Sequence, residues 1–530
     1  MYLLAGLALF AAPPALAQAD DLTAYARARA AEADGASDIA AAGYAAALAK
    51  APDDAIVAMR AYRQGLAVGD WALVDRAEKV VAKSGDGPID TAIVRFAIAL
   101  RAGDIAGANA ALGRLEKGPL DFMVPVLGAW MALDRGDDPF PILDKSGTNP
   151  LARRYRAENR VMLLVALRRT DEALAELRPL LQGGGGNDDL RINVAMLLGQ
   201  TGGREVAELI LGGPRPEMAG LRARLGKGPK PGAAVGAARL FLSLAADLMQ
   251  DDAPMPIAIL LTRTALLLDP SDDRARLFLG EALSRAGMNK LALDTLGQVG
   301  RDSPFTRGAA AGRIAALRRA GRTGEAIALA KAQAEDREST SADASAYGDL
   351  LAADSQFAAA ASAYKVALGR PGGDADWTLH FRRGNALDRA GRWDEALPAL
   401  RRAAGIAPLE AQALSTLGVA LIAHHQDLDE AQALLERASG LRPADAGITD
   451  SLAWAYYTRG DVARALPLLE RAATADPGGS LVNEHLGDAY WKLGRRYEAR
   501  YAWRAAAIYA DAGAGTRIAA KLANGLTASN

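Results

Sequence analysis

The sequence has 530 residues, of which 50% are apolar and only 5% are aromatic, and it contains no cysteine. The lack of cysteine excludes disulfides, thiol catalysis, iron–sulfur clusters and cysteine-ligated zinc. Because 62 basic residues balance 63 acidic ones and form no long run, the sequence also lacks the electrostatic signature of a nucleic-acid-binding protein.

The segment 1–17 predicts a signal peptide. Residues 3–12 form an apolar run that is too short to span a bilayer comfortably. Ala-Leu-Ala at 15–17 has the small-x-small pattern that signal peptidase cleaves, so Gln18 is the expected first mature residue. No Lys or Arg precedes the apolar run. Three interpretations remain: an unusual signal, a true start codon further upstream, or an apolar first helix of the fold.

Of these interpretations we favour export, and therefore expect a periplasmic protein. A cytoplasmic location is the alternative if the N-terminal segment belongs to the fold. No later segment is long and apolar enough to predict a membrane span, so we expect none in the mature chain.

A faint repeat follows in residues 18–211. Ala28, Tyr62, Phe96 and Trp130 recur at a constant interval, and after a shortened unit the rhythm resumes at Val161 and Ala195. The segments between them have the pattern of helix, turn and helix. We interpret them as six divergent helical hairpins, with an ordinary all-α domain as the alternative. The run QGGGGNDD at 182–189 predicts an exposed loop.

Residues 212–235 interrupt the rhythm. This segment, GGPRPEMAGLRARLGKGPKPGAAV, is rich in Gly, Pro and charge, and predicts a linker or kink that divides two superhelical halves. The stretch between Ala195 and Gly280 leaves room for one further hairpin, over residues 236–268, with an enlarged turn at QDDAPMP.

From Gly280 onwards the repeat is strong. The anchor positions are Gly280, Ile314, Gly348, Gly384, Gly418, Ala453 and Gly487, and they follow one another at a nearly constant spacing. Small residues at these anchors predict close helix crossings, for example of Gly384 on Ala396. Gly391, Gly460 and Gly494 are placed to end the first helix of a pair in the left-handed conformation that Gly adopts most easily.

The segment LGDAYWKLGRRYEARYAW and its counterparts resemble the tetratricopeptide repeat (TPR), whose pattern is Leu-Gly-x-x-Tyr, Ala-x-x-x-Phe and Pro with a period of 34. Ala453 and Ile314 depart from the usual Gly, and the last repeat closes at Asp511 without Pro. The resemblance implies an all-α fold, a right-handed superhelical solenoid of about 13–14 helix-turn-helix repeats. We expect divergent TPR-like repeats over 18–211, a TPR array over 236–511, and a C-terminal capping helix and tail over 512–530.

No sequence motif predicts catalysis or a cofactor. Nucleophile elbows, phosphate-binding loops and His-Glu-x-x-His are all missing from the sequence. The one group with metal-ligand residue types is His424, His425, Asp427, Asp429 and Glu430. Adjacent helical residues point about 100° apart, so we favour an inserted residue that lengthens a turn over a metal site. We expect the protein not to be an enzyme and to need no cofactor.

The TPR resemblance implies a concave groove lined by the first helices, at positions three before, one after and four after each anchor. These positions hold Phe381, Asn385, Asp388, Ser415, Val419, Ile422, Asp450, Trp454, Tyr457, Glu484, Asp488 and Trp491, with Arg389 and Lys492 beside them. From this set the predicted partner-binding residues are Asn385, Asp388, Arg389, Asp450, Trp454, Tyr457, Asp488, Trp491 and Lys492. The alternative is that Trp454, Tyr457 and Trp491 pack between repeats or under the C-terminal helix.

Large aromatic residues beside mixed charges suit peptide capture. The sequence therefore predicts a non-enzymatic scaffold or adaptor that binds a peptide or partner protein, and no nucleic acid. The family resemblance points to cell-envelope assembly, secretion or polysaccharide export. The alternative is a glycan-binding or regulatory subunit of an envelope polysaccharide system.

Overall fold

The computed structural model describes residues 14–83, 90–145, 150–182, 188–213, 215–250 and 255–527. The apolar run of the predicted signal peptide and the glycines at 183–186 lie outside the described residues. Within the described ranges the regular structure is helical and contains no strand. The fold is thus the all-α solenoid of helical repeats that the sequence predicts.

The chain forms two compact units, Met1–Ala326 and Ile327–Asn530. The helices of the first unit are α1 (Pro14–Ala33), α2 (Ser37–Lys50), α3 (Ala55–Val68), α4 (Trp71–Lys83), α5 (Thr91–Arg101), α6 (Ile105–Leu115), α7 (Val124–Arg135), α8 (Phe140–Leu143), α9 (Pro150–Ala166), α10 (Thr170–Gln182), α11 (Asp188–Thr201), α12 (Arg204–Ile210), α13 (Pro216–Ala223), α14 (Ala233–Gln250), α15 (Met255–Leu268), α16 (Asp273–Arg285), α17 (Asn289–Gly297) and α18 (Thr306–Arg319). Helix α19 (Thr323–Ala334) contains the boundary between the units.

The helices of the second unit form pairs followed by a single terminal helix. They are α20 (Ser341–Ala353), α21 (Phe357–Leu368), α22 (Trp377–Arg389), α23 (Trp393–Ile406), α24 (Ala411–Ala423), α25 (Leu428–Leu441), α26 (Ala446–Thr458), α27 (Val462–Ala475), α28 (Ser480–Lys492), α29 (Arg496–Ile508) and α30 (Ala512–Asn524). Every anchor from Gly280 to Gly487 lies in the first helix of a pair, as predicted.

The faint repeat positions of the first unit are all buried. Ala28, Tyr62, Phe96, Trp130, Val161 and Ala195 lie in α1, α3, α5, α7, α9 and α11, and none is more than 1% exposed. Each of these helices packs against the helix that follows it. The recurring side chains therefore occupy equivalent buried positions in six successive hairpins.

The hairpin of α14 and α15 packs against hairpins that are distant in sequence. Helix α14 contacts α5 and α7, while α15 contacts α3 and α5. Gly236 permits this approach, because a Cβ added there would lie 2.1 Å from Cδ2 of Trp130. This packing differs from the neighbour-only stacking of a simple repeat array. It brings α3, α5 and α7 into one hydrophobic core with α14 and α15.

Helix α14 is long and apolar enough to cross a membrane by length and composition, and it is the one helix in the described part of the chain for which this holds. The sequence alone predicted no such helix beyond the signal. Leu240, Phe241 and Leu242 of α14 are at most 1% exposed and belong to the hydrophobic core of the first unit. Its apolar character is thus accounted for by packing within this unit.

The expected linker at 212–235 contains helix α13. Met218, Leu221 and Leu225 are buried and belong to the same hydrophobic core as residues on either side of the segment. The spacing of these three residues gives the segment an apolar face, which its Gly and Pro content concealed. The compact units accordingly divide near residue 326 and not at this segment.

The anchor glycines make room for a large side chain on the second helix of the pair. A Cβ added at Gly280, Gly348, Gly384 or Gly487 would lie within 2.6 Å of Leu296, Tyr364, Leu400 or Trp503, respectively. The crossing predicted between Gly384 and Ala396 is therefore corrected: the atoms nearest to Gly384 belong to Leu400, one turn further along α23. Gly391, Gly460 and Gly494 follow the first helices with φ of 73°, 83° and 78°, the left-handed conformation predicted for them.

Candidate functional site

Polar side chains join the first helices of neighbouring repeats. The residue two before the anchor contacts the preceding first helix: Arg382 Nη1 lies 2.9 Å from Asp349 Oδ2, and His485 Nδ1 lies 3.0 Å from Asp450 Oδ2. Asp349 and Asp450 occupy positions that the sequence assigned to the groove. Part of the predicted groove surface is therefore used in contacts between repeats.

The terminal helix α30 covers the acidic residues of α28. Lys521 Nζ lies 2.7 Å from Glu484 Oε1 and 2.6 Å from Asp488 Oδ2, and Arg517 adds a second ion pair to Glu484. Burial would raise the pKa of Glu484, but hydrogen bonds from Arg517 and Lys521 outweigh it and hold this pKa below its usual value. Burial raises the pKa of Asp488.

Two predicted partner-binding carboxylates are therefore not available to a partner. Asp450 and Asp488 are each 4% exposed and bonded within the fold. Ile422, which the sequence placed on the same face, is 5% exposed and belongs to the hydrophobic core between repeats. These residues were assigned to the groove for one reason. A buried polar contact between two helices uses the same residue types at the same positions as a contact with a partner, so the sequence does not distinguish the two.

Trp454, Tyr457 and His485 form an aromatic stack that bridges α26 and α28. The plane of the Trp454 ring makes an angle of 12° with that of Tyr457 and also with that of His485. The ring centroid of Trp454 lies 4.6 Å from that of Tyr457 and 3.8 Å from that of His485. Two rings so close to one indole occupy its opposite faces. Trp454 and Tyr457 remain partly exposed, while burial and the charge of Asp488 raise the pKa of Tyr457 to about 12.

Trp491 belongs to the cap of the array. Its ring lies 5.3 Å from that of Trp503, and a Cβ added at Gly525 would lie 1.9 Å from its Cζ2 atom. The same apolar cluster contains Ile518 of α30. Trp491 thus packs under the C-terminal helix, which is the alternative that the sequence left open. The predicted continuous strip of Trp454, Tyr457 and Trp491 ends at Tyr457.

The remaining predicted partner-binding residues differ in how far they are exposed to a partner. Asp388 accepts a hydrogen bond from His424 Nε2 at 2.6 Å if that nitrogen is protonated. Arg389 is exposed, and its guanidinium lies 3.9 Å from the ring centroid of Phe357. Asn385 is partly buried and Lys492 is exposed.

The His424 cluster is used within the fold. His424 stacks on Trp393 at 3.8 Å in addition to contacting Asp388, and Asp427 and Glu430 form ion pairs with Arg401. His425 and Asp427 have φ of 49° and 45°, which places them in the enlarged turn before α25. The structure thus shows the inserted turn that the sequence favoured at this position.

A groove cavity of about 500 Å³ lies across the first helices α24, α26 and α28, beside the aromatic stack. Its lining consists of Gln412, Ser415, Thr416, Arg442, Asp445, Gly447, Ile448, Asp450, Ser451, Leu481 and Val482. Asp450 links the two features, because it lines the cavity and binds His485 of the stack. Leu481 is 54% exposed at the cavity wall.

Most of the cavity-lining residues lie outside the groove positions that the sequence predicts. Thr416 and Ser451 lie two positions before their anchors, and Gln412 and Leu481 lie six before theirs. At 100° per residue these positions are rotated by roughly 50–90° from the face that was predicted. The open surface therefore lies further around each first helix than the sequence predicted. Polar or exposed apolar residues recur at these two positions, and this recurrence could have indicated the open surface.

Three adjacent first helices line one polar cavity. This arrangement is typical of helical-repeat scaffolds, which bind partners along an extended surface. A tetratricopeptide repeat family model matches residues 346–411, 381–446, 417–480 and 451–515. Residues 346–515 are therefore tetratricopeptide repeats, and this array is a protein-interaction scaffold.

Solved structures similar to this chain include three proteins. MamA is 23% identical, over 31% of this chain and 93% of its own, with a TM-score of 0.27. YrrB, a TPR protein with an unusual peptide-binding site, is 20% identical, over 35% of this chain and 95% of its own, with a TM-score of 0.29. TTC0263, a thermophilic TPR protein of Thermus thermophilus, is 20% identical, over 35% of this chain and 100% of its own, with a TM-score of 0.31. No curated protein sequence matches the chain.

Proposed function

We propose that the protein is a non-enzymatic adaptor that binds an extended peptide segment of a partner protein in the groove cavity. The observation that carries this proposal is the cavity itself, which three consecutive first helices line. Ser415 and Thr416 offer hydroxyl groups to a peptide backbone, Ser451, whose hydroxyl donates to the Gly447 carbonyl, offers an acceptor, and exposed Leu481 offers an apolar contact. A peptide laid across α24, α26 and α28 would use both.

The charge of the cavity favours a peptide with an acidic residue. Arg442 is exposed at the wall, while Asp450 is held by His485 and Asp445 accepts the backbone N–H of Ile448 at the start of α26. An acidic side chain beside Arg442 would gain a charge-assisted hydrogen bond. An apolar residue of the same peptide would lie against Leu481.

The aromatic stack favours a peptide over a glycan. A sugar ring packs on a free aromatic face, but both faces of Trp454 are covered, by Tyr457 and by His485. What remains accessible is the edge of the indole together with part of Tyr457. Such edges contact apolar peptide side chains, as aromatic residues at protein interfaces commonly do.

The setting we propose is the cell envelope, in assembly or secretion. The support for a periplasmic location is the sequence of residues 1–17, with its apolar run and its Ala-Leu-Ala site. A role in the envelope follows from that location together with the scaffold class.

Peptide selection tests the groove proposal. A displayed peptide library is selected on the full chain, and the affinities of the selected peptides are then measured for variants. Thr416→Arg and Ser451→Arg place bulky side chains in the cavity, and together they are expected to weaken binding at least tenfold. Tyr497→Ala is the matched control, because Tyr497 is 76% exposed on α29, a second helix. Peptides that bind the cavity variant normally, or that depend on Tyr497, would overturn the proposal.

A further inference from the structure

The first unit contains a separate cavity of about 340 Å³ between α11, α14 and the start of α16. We call it the arginine cavity. Four cationic residues line it, namely Arg224, Lys227, Arg239 and Arg274, against three acidic ones, Asp269, Asp272 and Asp273. It shares no lining residue with the groove cavity, and none of its lining residues belongs to the TPR array matched above.

Arg274 is buried without a full set of partners. Its side chain is 7% exposed, and its Nε and Nη2 atoms donate no hydrogen bond to the described residues. The nearest anionic group is Asp189, whose Oδ1 lies 3.4 Å from Nη2 without hydrogen-bond geometry. A buried guanidinium with unused donors is costly in a folded protein. Nε and Nη2 of Arg274 have almost no accessible surface, so an anion in the cavity would balance the charge of this guanidinium and not bond to these two atoms.

Arg239 brings a second guanidinium to the same cavity. Its one hydrogen bond to the described residues is a long one, 3.4 Å from Nη1 to the carbonyl oxygen of Asn193. Burial lowers the pKa of Arg239 to about 10; the negative charge of Asp272 opposes this lowering, and the like charge of Arg274 adds to it. Two arginines that repel each other beside one cavity are the arrangement expected of an anion-binding site.

The acidic residues of the cavity are already engaged. Asp272 accepts the backbone N–H groups of Arg274 and Ala275 and so caps α16. Asp273 forms an ion pair with Arg276 at 2.8 Å, and Asp269 accepts two hydrogen bonds from Ser271. None of these acids makes a hydrogen bond to Arg239 or to the side chain of Arg274, so both guanidinium groups retain donors.

We propose that the arginine cavity binds a small molecule that carries a carboxylate or phosphate group beside an apolar body. The anionic group would lie between Arg239 and Arg274. The apolar part would lie against Met196, Leu221, Val235 and Phe305, which line the same cavity. This site is independent of the peptide groove, so either proposal stands without the other.

Calorimetric and thermal-shift titrations of the full chain test this site. Benzoate is the first probe, phenyl phosphate the second, and benzamide the neutral control of nearly the same shape. We expect benzoate or phenyl phosphate to bind and to raise the melting temperature, and benzamide not to. Comparing the two anions distinguishes a carboxylate site from a phosphate site. Equal binding of benzamide, or no shift with either anion up to about 10 mM, would overturn the proposal.

Variants locate the binding in the cavity. Arg239→Met and Arg274→Gln should each weaken binding of the better anion at least tenfold. Arg239→Met should also leave the melting temperature of the unliganded protein unchanged or raise it, because it removes a desolvated, poorly bonded charge. Arg263→Met is the matched control: Arg263 is another partly buried arginine whose pKa desolvation lowers to about 10, but it donates to the Ala67 carbonyl and lines no part of this cavity.

The variants also provide the contrary outcomes. If Arg239→Met destabilises the unliganded protein while anion binding persists, Arg239 is a structural residue and the proposal fails. If Arg263→Met abolishes binding to the same extent as Arg274→Gln, the anion binds elsewhere.

Discussion

Lys521 forms an ion pair with Asp488, in which the ammonium nitrogen lies 2.6 Å from a carboxylate oxygen and both side chains are at most 6% exposed. The same nitrogen contacts Glu484 at 2.7 Å. Through these bonds α30 occupies the position that a further first helix would take beside α28. The acids of α28 are consequently part of the cap, and α28 contributes Leu481 and Val482, near its start, to the groove cavity.

Replacing Lys521 by Met should destabilise the second unit. The substitution removes the positive charge that balances the buried carboxylates of Glu484 and Asp488. Breaking a buried ion pair in this way costs about 3–5 kcal/mol. Urea unfolding monitored by circular dichroism measures the loss. Lys492→Met, at an exposed site on α28, should change stability by less than about 0.5 kcal/mol. Equal stability of the two variants would show that the cap is not held by this ion pair.

The repeat array could be predicted from sequence because its signals are local. The anchor glycines, the C-cap glycines and the repeat period each act within one hairpin or between neighbours. The pairing of Lys521 with Asp488 could not, since α30 has no anchor and its partners lie in α28, on the far side of α29 in the sequence. Gly236 and Trp130 also pack together, although they are further apart in the sequence than Lys521 and Asp488, and no repeat pattern predicts this contact.

Gly384→Val should destabilise the second unit through overpacking. A Cβ at this position would lie 2.6 Å from Leu400 Cδ2 and 3.2 Å from the Leu400 backbone nitrogen, which a side-chain rotation cannot relieve. We expect a loss of about 1–3 kcal/mol or more in the free energy of unfolding. Gly405→Ala is the control: it lies in α23 with nothing within 4 Å of an added Cβ, and should stabilise by about 0.5–1 kcal/mol. A neutral Gly384→Val would contradict the close crossing.

The candidate site was predicted only in part, for a physical reason. Positions such as those of Asp450 and Trp454 were correctly placed on the sides of first helices, but sequence does not show which side chains neighbouring helices use. His485 takes Asp450 out of the groove and covers one face of Trp454. Partner-binding residues and inter-repeat contacts are chemically alike, so coordinates are needed to separate them.

The raised pKa of Tyr457 predicts a pH dependence. The phenol loses its proton near pH 10 in an unfolded chain but near pH 12 in the fold. Between these values the unfolded state binds fewer protons than the folded state, so stability falls as pH rises from about 10 and levels off above about 12. In Tyr457→Phe this contribution, about 1–2 kcal/mol, is absent. Urea melts across that range should therefore show a shallower decline for the variant, and an identical decline would contradict the shift.

Export predicts where the protein is found and how it is cut. Residues 1–30 fused to a reporter that is active only after export should give activity, and the mature protein should begin at Gln18 by mass spectrometry. Ala17→Leu is the matched variant, because it should permit export while blocking cleavage. An inactive fusion, tested also with an upstream start codon restored, or native protein that begins at Met1 would favour the cytoplasm.

Trp454 and Trp491 should respond differently to replacement by Ala, although the sequence assigned both to one strip. Trp491 packs against Trp503 and Gly525 in the cap, so its loss should lower the free energy of unfolding by about 2–4 kcal/mol, near the range for aromatic truncation in cores. Trp454 is partly exposed beside the groove cavity. Its loss should weaken a selected peptide by about 2 kcal/mol, as for interface hot spots, with a smaller effect on stability.

The same two variants must therefore be compared in unfolding and in peptide binding. Trp454→Phe serves as a control, since it retains an aromatic ring between Tyr457 and His485 and should recover part of the affinity. If Trp491→Ala weakens peptide binding at a temperature where the variant remains folded, the groove extends along α28 as far as Trp491. If Trp454→Ala destabilises the protein but binds peptide normally, the aromatic stack is a structural contact between repeats and the binding surface must be sought along the cavity alone.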